Sequence, residues 1–315
     1  MLQTTPQPTT SFIAARRTFH EPHNNFKIIS GNLKIIGKEP DGDSVAFIAD
    51  NPAHYHDLKR GYLLRPSTVD NAVQLRFQAI DTPELHYGSD FQPLGDTARD
   101  YLLKTILKFK NIQYATSTVA GKPAVKVKSS TPQTIKAHIA TNALEPHGRP
   151  IAYIFIGEKF TDGENIRLTE KEIVKTVNYK MIESGFAYLL AYDSMPEEHL
   201  HIFRAAANKA RSTHKGVWKI DSTFNFKLAD KTSVEGADAQ LVFPKIFRRC
   251  IDYFRDMANG NFNGELIDWF KYKNEENDKV RISNNIVVTF SSLFHQVNNN
   301  LSFQADTNDI IFIER

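Results

Sequence analysis

The chain has 315 residues, with 39 Lys and Arg against 36 Asp and Glu, 41% hydrophobic residues and one cysteine. This length corresponds to one large domain or two of ordinary size, and the composition is that of a globular protein rather than a disordered or fibrous one. The single cysteine, Cys250, excludes an intrachain disulfide, and the sequence has no run of about 18 apolar residues that would span a membrane.

The N-terminal residues are polar and rich in Pro and Thr, which predicts a flexible arm over 1–25. They lack the apolar stretch of about 7–15 residues that a secretory signal peptide needs. We therefore expect a cytoplasmic protein as the sequence stands, or a secreted or periplasmic one if a leader has been removed. Residues 1–220 carry 28 basic and 22 acidic side chains, whereas 221–315 carry 11 and 14. This distribution favours an anionic partner for the first part.

Strand patterns dominate the first half of the chain. β-branched, partly alternating stretches predict two strands within 26–49, and alternation with period 2 predicts another over 72–80, after a loop-like insertion over 50–70. Apolar residues at helical spacing predict a helix over 95–109. Gly, Pro and Ser punctuation predicts two or three short strands over 111–140.

Helical patterns dominate after a further predicted strand at 149–156. One helix is expected over 170–185 and another over 194–213. Strands first and helices after them predict an α+β domain built on a small barrel, rather than alternating βαβ units. We assign this domain to 26–220 and a smaller α+β accessory region of unknown fold to 221–315.

Three short segments concentrate acidic and guanidinium groups at turns and strand ends. They are 41–44 (DGDS), 75–84 (LRFQAIDTPE) and 147–153 (HGRPIAY). In the second segment Pro83 ends the strand, so the acidic residues beside it lie at the mouth of that strand. Strict alternation would place Arg76 and the aspartate five residues later on opposite faces, so a bulge or turn must reorient one of them if both act together.

These residue types suit one reaction. Two aspartates and a backbone carbonyl are hard oxygen ligands of the kind that Ca²⁺ prefers. Two arginines offer planar forks for phosphate oxygens, and a nearby glutamate is able to deprotonate water. Together they indicate metal-assisted hydrolysis of a phosphodiester. Each segment alone also has a purely structural explanation: a common Asp-Gly-Asp turn, a strand-to-helix cap, and a solvated arginine.

The ordered set DGDSV, LRFQAIDTPE, HGRPIAYI, VNYKMIESGFA and GVWK resembles the staphylococcal (thermonuclease-type) nuclease family over residues 26–219. The resemblance implies a five-stranded OB-type barrel with three helices. It also implies an endonuclease that binds DNA or RNA, cleaves their phosphodiesters with Ca²⁺, and leaves 3′-phosphate ends.

Carried over by motif position, the resemblance implies that Asp43, Asp81 and the backbone carbonyl of Thr82 are the Ca²⁺ ligands. It places Asp41 near the metal without contacting it. Glu84 would then be the general base that activates water.

The same resemblance implies that Arg76 and Arg149 bind the scissile phosphate and stabilise its transition state. His147 stands where the family usually has a tyrosine that touches a substrate phosphate, so we expect it to bind substrate and to make activity sensitive to pH near its pKa. Tyr192 is a candidate for stacking on a base, with Tyr188 a poorer one.

The insertion at 50–70 carries basic residues around an aromatic one. Lys59 and Arg60 are candidates for contacts to single-stranded nucleic acid. The pair His54 and His56, which flanks Tyr55, has metal-ligand spacing, but a solvated loop is the better interpretation because no further ligand is in view.

Two other functions remain open. A noncatalytic nucleic-acid- or protein-binding module on an OB-type barrel would not need the full set of acidic and guanidinium residues. Alternatively, 221–315 serves as a docking or self-association element, with the apolar stripe at 244–257 as its interface; Cys250 on that stripe is otherwise a buried small hydrophobic residue.

Overall fold

The computed structural model describes residues 24–119, 122–274 and 277–314, so the predicted arm over 1–25 lies almost entirely outside the described residues. The strands are β1 (Asn25–Lys34), β2 (Ala46–Ala49), β3 (Val73–Gln74), β4 (Arg76–Phe77), β5 (Ile80–Asp81), β6 (Lys110–Val119), β7 (Lys122–Thr131), β8 (Thr134–Leu144), β9 (Pro150–Phe155), β10 (Asn165–Arg167), β11 (Tyr188–Leu189), β12 (Ala191–Tyr192), β13 (Asn225–Lys227), β14 (Lys279–Arg281), β15 (Val287–Thr289), β16 (Phe294–Val297), β17 (Asn300–Phe303) and β18 (Ile311–Phe312). The α-helices are α1 (Gly95–Asp100), α2 (Glu170–Ile173), α3 (Val177–Glu183), α4 (Glu197–Ser212), α5 (Pro244–Ala258) and α6 (Leu266–Tyr272). No helix among the described residues is long and apolar enough to cross a membrane.

One curved sheet forms a nearly closed barrel. Its strands run in the order β3-β2-β1-β8-β9-β4, with β10 added to β1. Most neighbours are antiparallel, but β4 pairs with β9 in parallel. The end strands β3 and β4 are separated by a single residue, Leu75, so the two ends of the sheet lie near each other. Helices α1 to α4 accompany this sheet, so the predicted α+β class with a barrel-like sheet is confirmed for the first part of the chain.

The strand predicted over 72–80 is divided into three pieces that serve different partners. β3 pairs with β2, β4 with β9, and β5 with β11. Between the last two, Ala79 adopts a left-handed conformation with φ 71°. Because of this turn, the side chains before and after Ala79 do not follow simple alternation. Asp81 therefore faces Arg76.

Two other predictions are wrong in length. The segment at 111–140 forms long strands, β6, β7 and most of β8, instead of two or three short ones. The helix predicted over 170–185 is interrupted after Ile173, and Thr176 caps the second helix by accepting a hydrogen bond from the Tyr179 amide. The helix predicted over 95–109 exists as α1 followed by a π-helical stretch at Tyr101–Ile106.

The C-terminal part contains both helices and strands, as predicted, and its strands belong to two small sheets. One sheet has the order β12-β18-β14-β15 and the other β13-β17-β16. The first of these includes β12 of the barrel part. A second hydrophobic core joins Tyr188, Leu190 and Trp218 to the C-terminal residues, so the two parts share this core.

The apolar stripe at 244–257 lies inside this second core. Ile246, Phe247, Cys250 and Ile251 are each at most 1% exposed. The burial of Cys250 is therefore confirmed. The proposed interface on this stripe is not open, because these side chains are already covered by the chain itself.

Candidate active site

The turn at 41–44 and the end of β5 are in direct contact. The Phe77 amide donates to the Asp43 carbonyl (3.1 Å), which aligns β4 beside the turn. Gly42 lies so close to Thr82 that an added Cβ would stand 2.6 Å from its Oγ1. Two segments that are about 40 residues apart in sequence are thus brought together at the mouth of the barrel.

Arg76 connects the two aspartates of these segments. Its guanidinium donates to Asp43 Oδ2 (2.7 Å) and to Asp81 Oδ1 (3.2 Å). Both carboxylates are buried, with Asp81 only 1% exposed. The Asp41 carboxylate accepts a hydrogen bond from the Gly42 amide (2.7 Å) and lies close enough to Asp43 and Glu84 for their charges to raise its pKa.

A second guanidinium enters from the C-terminal part. Arg248 of α5 donates to both oxygens of Asp81, at 2.7 Å to Oδ2 and 3.2 Å to Oδ1, and also to Glu84 Oε1. The sequence did not predict this residue as part of the site. It lies 167 residues from Asp81, and its only signal in the sequence was a position off the apolar stripe of a predicted helix.

Burial and charge pull the carboxyl pKa values in opposite directions. Burial raises the pKa of Asp41 well above its ordinary value, and the charges of Asp43 and Glu84 add to this effect. Burial also raises the pKa of Asp43 and Glu84, although Arg76 and Arg248 oppose it. Burial acts on Asp81 as well, but the two guanidinium groups outweigh it and hold its pKa below the ordinary value.

Four carboxyl groups share this site with two guanidinium groups, which leaves a formal charge of −2 if all are ionised. Oxygen donors with an excess of negative charge fit a hard divalent cation in chemical type. Arginines engage the carboxylates of Asp43, Asp81 and Glu84, however, and no three His, Cys, Asp or Glu side chains of the described residues are grouped so as to hold a metal ion.

Residues 74–220 match the family model described as staphylococcal nuclease homologue. The chain contains a staphylococcal nuclease domain. No curated protein matches the chain. The match includes β4, β5, β9 and helices α1 to α4, while the turn at 41–44 precedes it and 221–315 follow it. Proteins of this family are generally nucleases, so the domain indicates a nuclease or nucleic-acid-binding function.

The third motif of the nuclease domain places Arg149 beside a local carboxylate. A tight turn, with Gly148 at φ 88°, brings Glu145 and Arg149 together. Arg149 Nε donates to Glu145 Oε1 (2.9 Å), and the pair is partly exposed. Its charge still acts on Asp43, whose pKa it lowers slightly against the dominant effect of burial. His147 is exposed at the same turn.

The three other predicted substrate contacts line a groove between the barrel part and the C-terminal part, and Tyr192 lies within electrostatic reach of Arg76. Lys59, Arg60 and Tyr192 line a groove of 1340 Å³ whose wall includes none of the four clustered carboxyl groups. Arg60 is held by the Leu144 carbonyl at 2.6 Å. Tyr192 packs against Phe312, with 5.9 Å between ring centroids. Tyr188, the poorer stacking candidate, is fully buried.

The insertion at 50–70 is tied to the barrel rather than fully solvated. Tyr55 is 1% exposed, and His54 Nε2 lies 3.0 Å from Asp162 Oδ2. His56 is exposed, and neither histidine belongs to a metal-binding group within the described residues.

Proposed function

We propose that this protein is a Ca²⁺-dependent nuclease that hydrolyses phosphodiester bonds of DNA or RNA and leaves 3′-phosphate ends. The observation that carries the proposal is the convergence of Asp43 and Asp81 on Arg76, with Glu84 bound to Arg248 beside them, at one end of a barrel whose residues 74–220 match the staphylococcal nuclease family model. A fold alone would not justify an activity, but acidic and guanidinium groups buried together at one barrel end are the residue types that this chemistry needs.

Asp43 and Asp81, with the backbone carbonyl of Thr82, would hold the cation. When bound, Ca²⁺ supplies positive charge that polarises a phosphoryl oxygen and offsets the excess of carboxylates. Glu84 would accept a proton from the attacking water, for which burial suits it because it raises the pKa of this carboxyl group.

Arg76 and Arg149 would bind the non-bridging phosphoryl oxygens as negative charge develops on them. Attack of water at phosphorus then breaks the bond to the 5′-oxygen, which leaves a 3′-phosphate and a 5′-hydroxyl. Arg149 would have to exchange its Glu145 partner for the phosphate, and a partly exposed ion pair permits this at low cost.

The test is cleavage of single-stranded DNA, double-stranded DNA and RNA with Ca²⁺, with Mg²⁺ and with EGTA. Glu84→Gln and Arg149→Ala should each lower the Ca²⁺-dependent rate by about 10²–10⁴-fold, because each removes one group that acts on the reacting atoms. Glu183→Gln serves as the matched control, since Glu183 is an exposed carboxylate on α3. Equal rates in Glu84→Gln and Glu183→Gln would refute the assigned role of Glu84.

The second candidate is a noncatalytic nucleic-acid-binding module. Its support is Arg248, which engages the Asp81 carboxylate and the Glu84 carboxylate that catalysis requires. Salt-sensitive binding of nucleic acid without cleavage under any metal, unaffected by Glu84→Gln, would establish this alternative.

A further inference from the structure

Arg248 is held in the candidate site by a rigid framework. Its side chain is 18% exposed, and its helix α5 packs into the second core. The Tyr87 hydroxyl donates to Asp252 (2.7 Å), and Gln92 Nε2 donates to the Val242 carbonyl (2.7 Å). These contacts join the C-terminal part to the segment that follows Glu84. The position of Arg248 is therefore set by the packing of its helix as well as by its own hydrogen bonds.

A bound cation and Arg248 would need the same atoms. Ca²⁺ binds carboxylate oxygens at 2.3–2.6 Å, whereas both Asp81 oxygens already accept hydrogen bonds from the Arg248 guanidinium. Glu84 is engaged by the same guanidinium. Two positive groups on one carboxylate also repel each other, and burial leaves little water to screen them.

We propose that Arg248 competes with the divalent cation for Asp81, so that helix α5 sets the metal affinity of the site. This inference rests on the proposed function, because it takes Asp81 as a metal ligand. Arg248 is thus a positioning residue: it acts through Asp81 and Glu84 rather than on the substrate. The C-terminal region would thus control the metal affinity of a site whose carboxylates belong to the barrel part.

The test is calorimetric titration of Ca²⁺ into the full chain, without nucleic acid. Arg248→Met should bind Ca²⁺ about 10- to 100-fold more tightly than the wild type, because the cation no longer displaces charge-assisted hydrogen bonds. Arg248→Lys keeps the charge but not the two-pronged geometry, so its affinity should lie between the two.

The matched control is Arg249→Met. Arg249 is the next residue of the same helix, is equally enclosed, and pairs with Asp278 (2.9 Å) instead of the site. The Arg249→Met variant should have a lower free energy of unfolding but the same Ca²⁺ affinity as the wild type. Ca²⁺ should also raise the melting temperature of Arg248→Met more than that of Arg249→Met, since the cation replaces the lost partner of Asp81.

The outcomes separate this inference from the proposed function. Equal or weaker Ca²⁺ binding by Arg248→Met and Arg248→Lys would overturn the competition, whatever the enzyme cleaves. Tighter binding by both variants, with no cleavage of any nucleic acid, would support the competition and refute the nuclease. Absence of Ca²⁺ binding in every variant would overturn both.

A different observation concerns the ribbon formed by β6 and β7. Residues 101–144 contain seven lysines and neither aspartate nor glutamate. Within the ribbon, Val127 is buried and pairs with Tyr114, so one face packs against the body of the protein. Lys126 and Lys128 flank Val127 on the opposite face of the strand.

The ribbon is attached to the segment that precedes the turn with Asp43. Val127 exchanges backbone hydrogen bonds with Gly37 (2.8 Å) and Lys38 (3.0 Å), a few residues before the turn that carries Asp43. Lys110 and Lys128 are exposed and make no ion pair with the described residues. A strand of this length extends about 30 Å, which is enough to follow several phosphates.

We infer that the lysine face of this ribbon binds the phosphate backbone of nucleic acid beside the site. The occupant is chosen by charge: the ribbon itself has no acidic residue, and its lysines complement a polyanion, although Lys126 also lies 3.9 Å from Glu39 Oε1. This inference also rests on the proposed function, for which it supplies a substrate-binding surface outside the cluster of carboxylates.

The test is fluorescence anisotropy of a labelled single-stranded oligonucleotide at several salt concentrations in EGTA, which prevents Ca²⁺-dependent cleavage. A variant with Lys110, Lys126 and Lys128 changed to Gln should reduce the slope of log affinity against log salt by about 2, at about 0.7 per lost phosphate contact. The control changes Lys171, Lys180 and Lys209, exposed on helices α2, α3 and α4, to Gln.

An unchanged slope in the ribbon variant, or an equal reduction in the control, would overturn the inference. Because the assay needs no cleavage, a reduced slope would support the ribbon even if the protein proved to be catalytically inactive. Active cleavage with an unchanged slope would refute the ribbon alone.

Discussion

Asn178 should be among the most sensitive positions of the nuclease domain. It is fully buried on α3, and its amide group makes three hydrogen bonds to backbone. Oδ1 accepts from the Ile154 amide (3.0 Å), while Nδ2 donates to the carbonyls of Gln78 (2.9 Å) and Ala152 (3.0 Å). The Gln78 carbonyl immediately precedes the left-handed Ala79 that directs the chain to the site.

Asn178→Ala removes these three bonds, although the Ala152 carbonyl keeps the hydrogen bond that it accepts from the Gln78 amide (3.0 Å). At about 1 kcal/mol for each bond, the free energy of unfolding should fall by about 3 kcal/mol. The loss should be larger if no water reaches the backbone groups that Asn178 had bonded. That is a large part of the 5–15 kcal/mol typical of a folded protein. Asn178→Asp should be no better, because a carboxylate would face two carbonyl oxygens.

Urea unfolding of the two Asn178 variants and the wild type measures this loss. Lys180→Ala is the matched control, since Lys180 is exposed two residues further along α3 and its removal should change stability by less than about 0.5 kcal/mol. A loss below about 1 kcal/mol in Asn178→Ala would refute the reasoning, because it would mean that none of the three bonds contributes net stability.

Three further predictions address the site, the pH dependence and the docking of the C-terminal part. Gly42→Ala should weaken Ca²⁺ binding at least tenfold by calorimetry, because its Cβ would stand 2.6 Å from Thr82 Oγ1 and push the turn away; unchanged affinity would contradict the close packing. Burial lowers the pKa of His199 below 6.5, so the stability it contributes is complete above that pH and is lost as the pH falls towards the lowered value. His199→Gln should therefore flatten the fall in melting temperature as the pH drops below about 6.5, and an equally steep fall in this variant would count against the role of His199. Tyr87→Phe should cost about 1 kcal/mol in urea unfolding, because it leaves Asp252 without its hydroxyl donor, and no cost would mean that water replaces the bond.

The sequence predicted those parts of the site that depend on local patterns. The turn at 41–44 and the strand end at 80–84 are placed by short-range rules, and the need for a turn between Arg76 and Asp81 was evident from their odd spacing. The structure provides that turn at Ala79. The division of the predicted strand into three was not visible, because it follows from which neighbours each piece meets.

Arg248 could not be predicted because its contacts are entirely long-range. A charged residue beside an apolar helical stripe looks the same whether it faces solvent or a carboxylate 167 residues away. The roles expected for Tyr192, Lys59 and Arg60 stay predictions: all three line one groove, whose lining includes none of the four clustered carboxyl groups. The resemblance suggested Tyr192 and residue type suggested Lys59 and Arg60, but neither fixes a position relative to the carboxylates.

The most direct test of the proposed nuclease is end-group analysis of a labelled DNA oligonucleotide incubated with the full chain. Cleavage in Ca²⁺ that stops in EGTA and leaves 3′-phosphate ends is the predicted result, because the proposed reaction needs Ca²⁺ and an attack of water that expels the 5′-oxygen. Intact substrate in Ca²⁺, or products with 3′-hydroxyl ends, would contradict the proposed reaction.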